Sequence, residues 1–283
     1  MKIIRLGENF KKEGVITTQA IHRLSDALEI YIKEIKGYGI DPKDVVITGT
    51  SVLRDASNAS YVRDIVFKKF GLEIDIITGE KEALITLNGI SKCFKGIKEF
   101  YSIDIGGGST EYACVKDGAP LWKYSLNMGV VHLTEEIVKS DPVSNDDLMK
   151  LEREINLKLY KLKREIKESG FSFRPPSADP NSVPQVLFGT AGTATTLAMV
   201  DLKMKFYDRL KVHGYFLKKE NILNIYERFI ASKIKDRLNI EGVEAGREDL
   251  VLAGTAIMLK SIDFFEVSGF TVSECGLLEG LIS

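Results

Sequence analysis

The sequence lacks three features that would each assign it to a class of protein. Its three cysteines, Cys93, Cys114 and Cys275, include no CxxC pair, so free thiols in a reducing cytosol are expected rather than a disulfide framework. No apolar run approaches the roughly 20 residues that a membrane-spanning helix requires. The 39 basic and 40 acidic residues leave a formal net charge of −1, which gives no general attraction to nucleic acid or anionic membranes.

What is present is the composition of a globular protein, with 44% hydrophobic and 28% charged residues in a chain of 283. Because single hydrophobic cores stop growing beyond roughly 250 residues, two packed units are expected. Short apolar strands alternate with amphipathic helices in the first hundred residues, which predicts a parallel sheet with crossover helices. These predicted elements are a helix over 17–36, a strand over 45–48, a helix over 57–70, a strand over 74–77 and a helix over 80–95.

A different pattern begins at residue 101. The Asp117-Gly118 pair is typical of a hairpin turn, so the strands around it are predicted to form an antiparallel meander. Ser144 is expected to cap a long charged helix that ends near Lys167. The remaining predictions are strands over 101–105, 112–115 and 121–126, a loop at Pro175, Pro176, Pro180 and Pro184, a strand over 186–188, helices over 218–232 and 249–265, a strand over 270–273 and a short terminal helix.

The strongest chemical signal is the segment Asp104-Ile-Gly-Gly-Gly-Ser-Thr-Glu111. Its glycines permit a tight turn whose backbone N–H groups can form an anion site, because no Cβ blocks a phosphate. The hydroxyls of Ser109 and Thr110 add donors. The two carboxylates beside this loop are suited to Mg²⁺, which takes a few carboxylates together with water and phosphate oxygens. A glycine-rich hairpin with two surface acids is the structural alternative.

Three further segments carry weaker signals. The loop Gly189-Thr-Ala-Gly-Thr-Ala-Thr-Thr196 follows a buried strand and opens a helix, whose N-terminus favours anions, although a plain strand-to-helix connection also fits. Glu80 and Glu82 open another helix, where acids either complement the helix dipole or supply a general base. Arg54 follows a strand end, where it either binds phosphate or forms a surface salt bridge.

Taken together, these segments resemble the exopolyphosphatase/guanosine pentaphosphate phosphohydrolase family. The resemblance covers nearly the whole chain, and several motifs match in order, which is more specific than any single glycine loop. The matching stretches are Thr50 to Asn58, Thr78 to Ala83, Asp104 to Glu111, Gly189 to Thr196 and Val272 to Gly280, with further landmarks at Val212 to Tyr215 and Gly246 to Asp249.

The resemblance implies an α/β fold made of two ribonuclease-H-like domains of the actin and sugar-kinase superfamily. The expected domains are residues 1–97 and residues 98–283, with the terminal helix returning toward the first domain. Family members begin with a strand, a first phosphate loop and a hairpin, whereas this sequence starts at the segment after them. The first domain is therefore expected to lack its leading strands and to expose a pairing edge near residues 2–6.

The resemblance also implies the chemistry, which is hydrolytic removal of a terminal phosphate. Glu82 matches the family's catalytic base, and Asp104 and Glu111 match the carboxylates that organise Mg²⁺. The substrate is expected to be inorganic polyphosphate or guanosine pentaphosphate, since both end in a phosphoanhydride. Nucleic acid and membrane are not expected as partners, whereas a second copy in a cytoplasmic homodimer is. The expected phosphate-binding residues are Arg54, Gly106, Gly107, Gly108, Ser109, Gly189, Thr190, Gly192, Thr193 and Arg247.

Departures from the family pattern leave other readings open. Ala191 stands where a glycine is usual, so the second loop is expected to avoid a positive φ there. Glu274-Cys275 replaces an Asp followed by a larger residue. His213 is expected to be packed or hydrogen-bonded and not catalytic. Because the first phosphate loop is absent, a catalytically impaired or non-catalytic member that binds phosphate chains is the alternative, and a kinase of the same superfamily is a third hypothesis.

Overall fold

The computed structural model describes residues 4–10, 14–171 and 186–282. The chain divides into two compact units, residues 1–81 and residues 82–283. The boundary therefore falls before the one expected at 97/98, because Leu87 and Ile90 pack with Phe100 and Phe188 in a cluster of the second unit. The proline loop predicted over 175–184 lies outside the described residues.

The first unit alternates strands and helices around one apolar cluster, as predicted. Thr17 caps the first helix by accepting a hydrogen bond from the Ala20 N–H at 3.2 Å, and Gly71 ends the third with φ of 70°. The two strands are parallel, with Thr48 opposite Asp75. The elements are α1 (Thr18–Gly37), a 3-10 helix (Pro42–Asp44), β1 (Ile47–Gly49), α2 (Ser51–Asp55), α3 (Ala59–Phe70) and β2 (Ile74–Ile76).

The pairing edge expected near residues 2–6 is not found where the structure describes that segment. Residues 4 and 5 belong to no strand, and residues 6–9 form turns. The Glu8 and Phe10 N–H groups donate to the carbonyls of Arg5 and Gly7, respectively. Local turn bonds therefore occupy backbone groups that a strand would have offered to a partner.

The second unit is built on a six-stranded sheet with the order β5-β4-β3-β6-β8-β7. Strands β3, β4 and β5 form the predicted antiparallel meander, and both residues of its Asp117-Gly118 turn have positive φ, as a primed hairpin turn requires. Strands β6 and β8 continue the sheet in parallel with β3, and β7 closes it antiparallel. The strands are β3 (Phe100–Ile105), β4 (Thr110–Lys116), β5 (Ala119–Leu126), β6 (Leu187–Thr190), β7 (Phe216–Lys218) and β8 (Gly269–Val272).

Helices cover this sheet, and the largest apolar cluster of the described residues lies between them. Ser144 caps the long charged helix by accepting a hydrogen bond from the Asp147 N–H at 3.2 Å, as predicted. No helix within the described ranges has the length and hydrophobicity that crossing a bilayer requires. The helices are α4 (Gly79–Cys93), α5 (Val130–Ile137), α6 (Asn145–Glu168), α7 (Ala191–Asp201), α8 (Arg209–Val212), α9 (Lys219–Ala231), a 3-10 helix (Ile234–Asn239), α10 (Val251–Phe265) and α11 (Leu277–Leu281).

The expectation of three free thiols is wrong for two of them. Cys93 and Cys275 form a disulfide with their Cα atoms 6.3 Å apart, although 182 residues separate them in sequence. Packing of α4 against the C-terminal segment brings them together, and no sequence spacing signals such a pair. Cys114 is free and buried, and burial raises the pKa of its thiol to about 12. The cytoplasmic location stays a prediction, but free thiols no longer support it.

Candidate functional site

The first glycine-rich loop joins β3 to β4 in the second unit. The Gly106 N–H donates to the Ser109 carbonyl at 2.9 Å, which closes a tight turn. Asp104 and Glu111 are direct partners in the antiparallel ladder on either side of that turn. Opposite residues of such a ladder project from the same face, with Cβ atoms about 5 Å apart. The loop therefore carries two neighbouring carboxylates, as the sequence predicts.

Glu82, near the start of α4, lies close enough to Glu111 to act on it electrostatically. It is 7% exposed, and Glu111 is 3% exposed. Burial raises the pKa of Glu111 well above its usual range, and the charges of Glu82 and then of Asp104 raise it further. The hydroxyls of Ser125 and Ser109 oppose this rise. The charges of Glu82 and Asp104 thus both repel that of Glu111 within the second unit.

Two threonine hydroxyls accompany Asp104. Burial raises the pKa of this carboxyl group, and the hydroxyls of Thr190 and Thr86 oppose the rise. Thr190 is the residue opposite Asp104 where β6 runs parallel to β3. Thr86 follows Glu82 by four residues, which places both side chains on one face of α4. This helical spacing was the available signal for Thr86, which the sequence analysis missed.

Ser125 is a second site residue that the sequence analysis missed. Its hydroxyl donates to Oε1 of Glu111 at 2.7 Å, and the two residues are partners across β4 and β5. Because a hydrogen bond to a carboxylate favours its charged form, Ser125 stabilises Glu111 as an anion. The pairing depends on a shift of register between Cys114 and Val115, which local sequence does not reveal.

Helix α5 holds the first glycine-rich loop from one side. The N–H groups of Val130 and Val131 donate to the carbonyls of Gly106 and Gly107, both at 3.0 Å. A Cβ added to Gly129 would lie 2.2 Å from the Gly107 carbonyl oxygen, so only glycine permits this approach. The first N–H groups of α5 therefore donate hydrogen bonds that hold the loop in place.

The second glycine-rich loop runs directly from β6 into α7. Ala191 has φ of 62°, so the expectation that this loop avoids a positive φ there is wrong. Ala191 is the first residue of α7 and directly follows the extended cap residue Thr190. A Cβ on Gly189 would lie 2.7 Å from the Phe270 ring, so close packing alone explains that glycine. The side chain of Thr193 packs against Gly254 of α10.

Arg247 lies directly on this second loop. A Cβ on Gly192 would lie 1.7 Å from Nη1 of Arg247, so the structure brings these two predicted residues together. Nε of Arg247 is 3.1 Å from Oε2 of Glu244, and the Arg247 side chain is 14% exposed. Burial lowers the pKa of the guanidinium, and Glu244 opposes that shift. The Arg247 charge is thus buried beside Gly192 with a carboxylate for a partner.

Two other predicted residues have defined surroundings. Arg54 belongs to the first unit, where its Nη1 donates to the Ile77 carbonyl at 3.0 Å. The centroid of the His213 ring lies 4.7 Å from that of Phe94, with the two rings tilted by 38°, and Nδ1 of His213 accepts a hydrogen bond from the Glu274 N–H at 3.2 Å. The packed, hydrogen-bonded role expected for His213 is confirmed.

The donor set suits a hard cation that keeps most of its own ligands. Among the described residues, no group of three or more acidic, His or Cys side chains is arranged to hold a metal ion. Asp104 and Glu111 nevertheless offer neighbouring carboxylate oxygens, and Mg²⁺ is commonly bound through one or two carboxylates with water and phosphate oxygens completing its shell. The residues present fit that mode and not a closed protein cage.

Fold and site define an α/β protein in which buried acids and two glycine-rich loops meet at the strand ends of one sheet, an arrangement typical of proteins that bind phosphate. The chain belongs to the Ppx/GppA phosphatase family, whose model matches residues 1–283. The family resemblance seen in the sequence is thereby confirmed.

Individual relatives agree with this assignment. The chain is 31% identical to a bifunctional 3-dehydroquinate synthase/phosphatase of Fusobacterium nucleatum over its whole length, but it spans only 41% of that protein. It is 27% identical to exopolyphosphatase 2 of Mycobacterium tuberculosis, covering 99% of this chain and 86% of the relative. It is 24% identical to a guanosine-5'-triphosphate,3'-diphosphate pyrophosphatase of Pseudoalteromonas translucida, covering 99% and 52%.

Solved structures support the fold. The crystal structure of the Ppx/GppA family member of Aquifex aeolicus matches with a TM-score of 0.77 and 28% identity, covering 99% of this chain and 86% of that one. An exopolyphosphatase from Cytophaga hutchinsonii matches with a TM-score of 0.87 and 25% identity, again covering 99% and 86%. The α/β class predicted from the sequence is confirmed.

Proposed function

We propose that the chain is a phosphohydrolase that removes the terminal phosphate of inorganic polyphosphate or guanosine pentaphosphate by attack of water. The observation that carries the proposal is the pairing of Asp104 with Glu111 across the glycine-rich turn, in the same unit that buries Glu82. Family membership supports the reaction class, because the relatives include a named exopolyphosphatase and a named guanosine-5'-triphosphate,3'-diphosphate pyrophosphatase. Both substrates present a terminal phosphoanhydride to such a site.

In this proposal Glu82 is the general base. Its carboxylate takes the proton of the attacking water, a role that suits a buried acid held on the first turn of a helix. Asp104 and Glu111 would hold Mg²⁺, with Ser125 orienting the carboxylate of Glu111 and Thr190 lying opposite Asp104 in the sheet. When bound, Mg²⁺ would offset the repulsion among the acids and neutralise charge on the terminal phosphate.

The phosphate chain is proposed to contact both glycine-rich loops. Gly106, Gly107, Gly108 and Ser109 would offer backbone N–H groups, and the first turn of α7, with Thr190, Gly192 and Thr193, would offer the positive end of its dipole. Arg247 would supply a buried guanidinium charge at the same loop. Gly189 would contribute through its backbone, whereas the phosphate-binding role of Arg54, which belongs to the first unit, stays a prediction.

The finer fold assignment belongs to the same proposal. A three-stranded meander continued by parallel strands, as in the second unit, is the arrangement expected of a ribonuclease-H-like domain. The actin and sugar-kinase superfamily, a first domain without its leading strands, a cytoplasmic location and a homodimer remain predictions.

The test compares phosphate release from long-chain polyphosphate and from guanosine pentaphosphate in the presence of Mg²⁺. Glu82→Gln is expected to lower kcat by about 10²- to 10⁴-fold, the usual loss on removing a general base. The matched control is Glu80→Gln, because Glu80 lies on the same helix turn but is exposed. Equal rates for wild type and Glu82→Gln contradict the proposed role of Glu82.

Two other outcomes separate the alternatives. Binding of polyphosphate by folded wild type without phosphate release would favour the non-catalytic, phosphate-binding hypothesis. Transfer of the phosphate to an acceptor hydroxyl in preference to water would favour the kinase hypothesis.

A further inference from the structure

The C-terminal segment from Ser273 to Gly280 contacts the second glycine-rich loop. The Ser273 N–H donates to the Gly189 carbonyl at 2.8 Å. A Cβ added to Gly276 would lie 3.6 Å from Cβ of Thr190, the residue opposite Asp104 where β6 pairs with β3. This segment is therefore in van der Waals reach of a residue that lies beside the acids.

The same segment packs backbone to backbone on α4, the helix that carries Glu82. A Cβ on Gly89 would lie 2.1 Å from the Gly276 carbonyl oxygen, and a Cβ on Gly280 would lie 1.9 Å from the Ile85 carbonyl oxygen. Such distances leave no room for side chains at the crossing. Ile85 is three residues from Glu82, so a shift at this crossing moves the helix turn that carries the carboxylate.

The disulfide fixes the far end of that helix to the segment. Cys93 is the last residue of α4, and Cys275 directly precedes Gly276. Glu279 secures the segment further, because it accepts a hydrogen bond from the Gly276 N–H at 3.0 Å and pairs with Arg209 at 2.9 Å. Helix α4 is thus held in its middle by the close backbone contacts of Gly89 and Ile85 with the C-terminal segment, and at its end by the disulfide.

We propose that the Cys93–Cys275 disulfide is a positioning device that holds Glu82 in place, so that reduction of this bond by a dithiol lowers the rate of phosphate release. This inference rests on the proposed function. It treats both cysteines as positioning residues that act through α4 and contact no substrate.

The geometry indicates how the bond would be reduced. Cys93 is exposed and Cys275 is 3% exposed, so a thiolate of the reductant attacks Sγ of Cys93 and the Cys275 thiolate leaves. Arg209 lies 3.9 Å from Sγ of Cys275, and its positive charge stabilises that leaving thiolate. The second thiol of the reductant then releases Cys93 and becomes the new disulfide. Two electrons and two protons pass from the dithiol to the cysteine pair.

The first measurement counts thiols in denatured protein purified without reductant. One reactive thiol, that of Cys114, is expected before treatment with dithiothreitol and three afterwards. Hydrogen exchange of the peptide covering residues 82–93 is then compared in the native oxidised and reduced protein, with faster exchange expected after reduction. Three thiols before treatment, or unchanged exchange in 82–93 after reduction, would overturn the inference.

The second measurement is steady-state phosphate release. Reduction is expected to lower kcat about 10- to 100-fold with little change in KM, because a displacement of about 1 Å at a catalytic group can cost 100-fold in rate. Cys93→Ser and Cys275→Ser should match the reduced wild type and no longer respond to dithiothreitol. Cys114→Ala is the matched control and should respond as wild type does.

The kinetic outcomes distinguish the two proposals. If Cys93→Ser keeps the kcat of oxidised wild type, the positioning role is refuted while the hydrolase proposal stands. If no form of the protein releases phosphate, the proposed function fails, and thiol counts with hydrogen exchange still decide whether the disulfide holds α4.

Discussion

Replacing Gly129 by alanine tests whether the first glycine-rich loop is held in place by α5. A Cβ at this position would lie 2.2 Å from the Gly107 carbonyl oxygen and 2.4 Å from the Gly108 carbonyl carbon. Non-bonded heavy atoms are about 3.5–4.0 Å apart at their optimal separation. Because the crowded atoms are backbone, no change of rotamer relieves the contact, and loop or helix must move by roughly 1 Å.

The expected cost follows from this displacement. Overpacking of a well-packed region costs about 1–3 kcal/mol, and each kcal/mol lowers Tm by about 2–4 °C in a unit of this size. We expect Gly129→Ala to lower the Tm of the second unit accordingly in scanning calorimetry. We also expect kcat for phosphate release to fall about 100-fold, because the loop shifts by about 1 Å. Gly37→Ala is the matched control, since a Cβ there meets no atom within 4 Å.

Gly107→Ala separates the binding role of the loop from its packing. The nearest atom to a Cβ there is Cγ2 of Val131 at 3.4 Å, an ordinary contact, so Tm should stay at the wild-type value. If the loop approaches a phosphate, this exposed Cβ obstructs it, and kcat/KM should fall about 100-fold, as on losing one transition-state donor. A wild-type Tm for Gly129→Ala, or an equal loss of Tm in Gly107→Ala, would show that α5 does not hold the loop through Gly129.

Two further predictions concern stability. Ala191→Gly should raise the free energy of unfolding in urea by about 1 kcal/mol, because a left-handed backbone costs a non-glycine residue about 1–2 kcal/mol. The control Ala194→Gly, in the same helix, should lower the free energy of unfolding. A lower free energy of unfolding in both variants would contradict the prediction. The Ser140 hydroxyl and the Lys139 and Ser140 N–H groups donate to Asp147 and hold its pKa below the usual range. The stability that these bonds contribute is complete above the unfolded-state pKa of about 3.9 and is lost as pH falls through the folded-state pKa. In urea titrations from about pH 5 to 3, Asp147→Asn should therefore lose less stability than wild type. Equal losses in the two proteins would contradict this role of Asp147.

Most elements could be predicted from the sequence because their signals are local. The cap at Thr17, the left-handed Gly71 and the Asp117-Gly118 turn each depend on residues within one helix turn or hairpin. Several elements were missed, and all of them are short: helices α2, α5 and α8, strand β7 and the two 3-10 helices. Short elements are stabilised mainly by what they pack against, and a local pattern records little of that.

The sequence also identified most of the candidate site, since a strand that ends in glycines and acids has few structural explanations. It did not identify the residues that orient those acids. Counting back from the Asp117-Gly118 turn pairs Glu111 with Tyr124, but the shift of register at Cys114 and Val115 makes Ser125 the partner. One residue of register moves a side chain to the other face of the sheet, so a bulge decides which side chain meets the carboxylate.

Neighbouring residues were enough to predict the α/β class, the order of most elements, the family and the acidic and glycine-rich motifs. Only the packing of distant segments shows that Gly129 fits against Gly107, that Arg247 lies on Gly192, and that Cys93 is bonded to Cys275 across 182 residues. These contacts join segments remote in sequence. They depend on how helices pack on the sheet, and no local pattern of residue types carries that information.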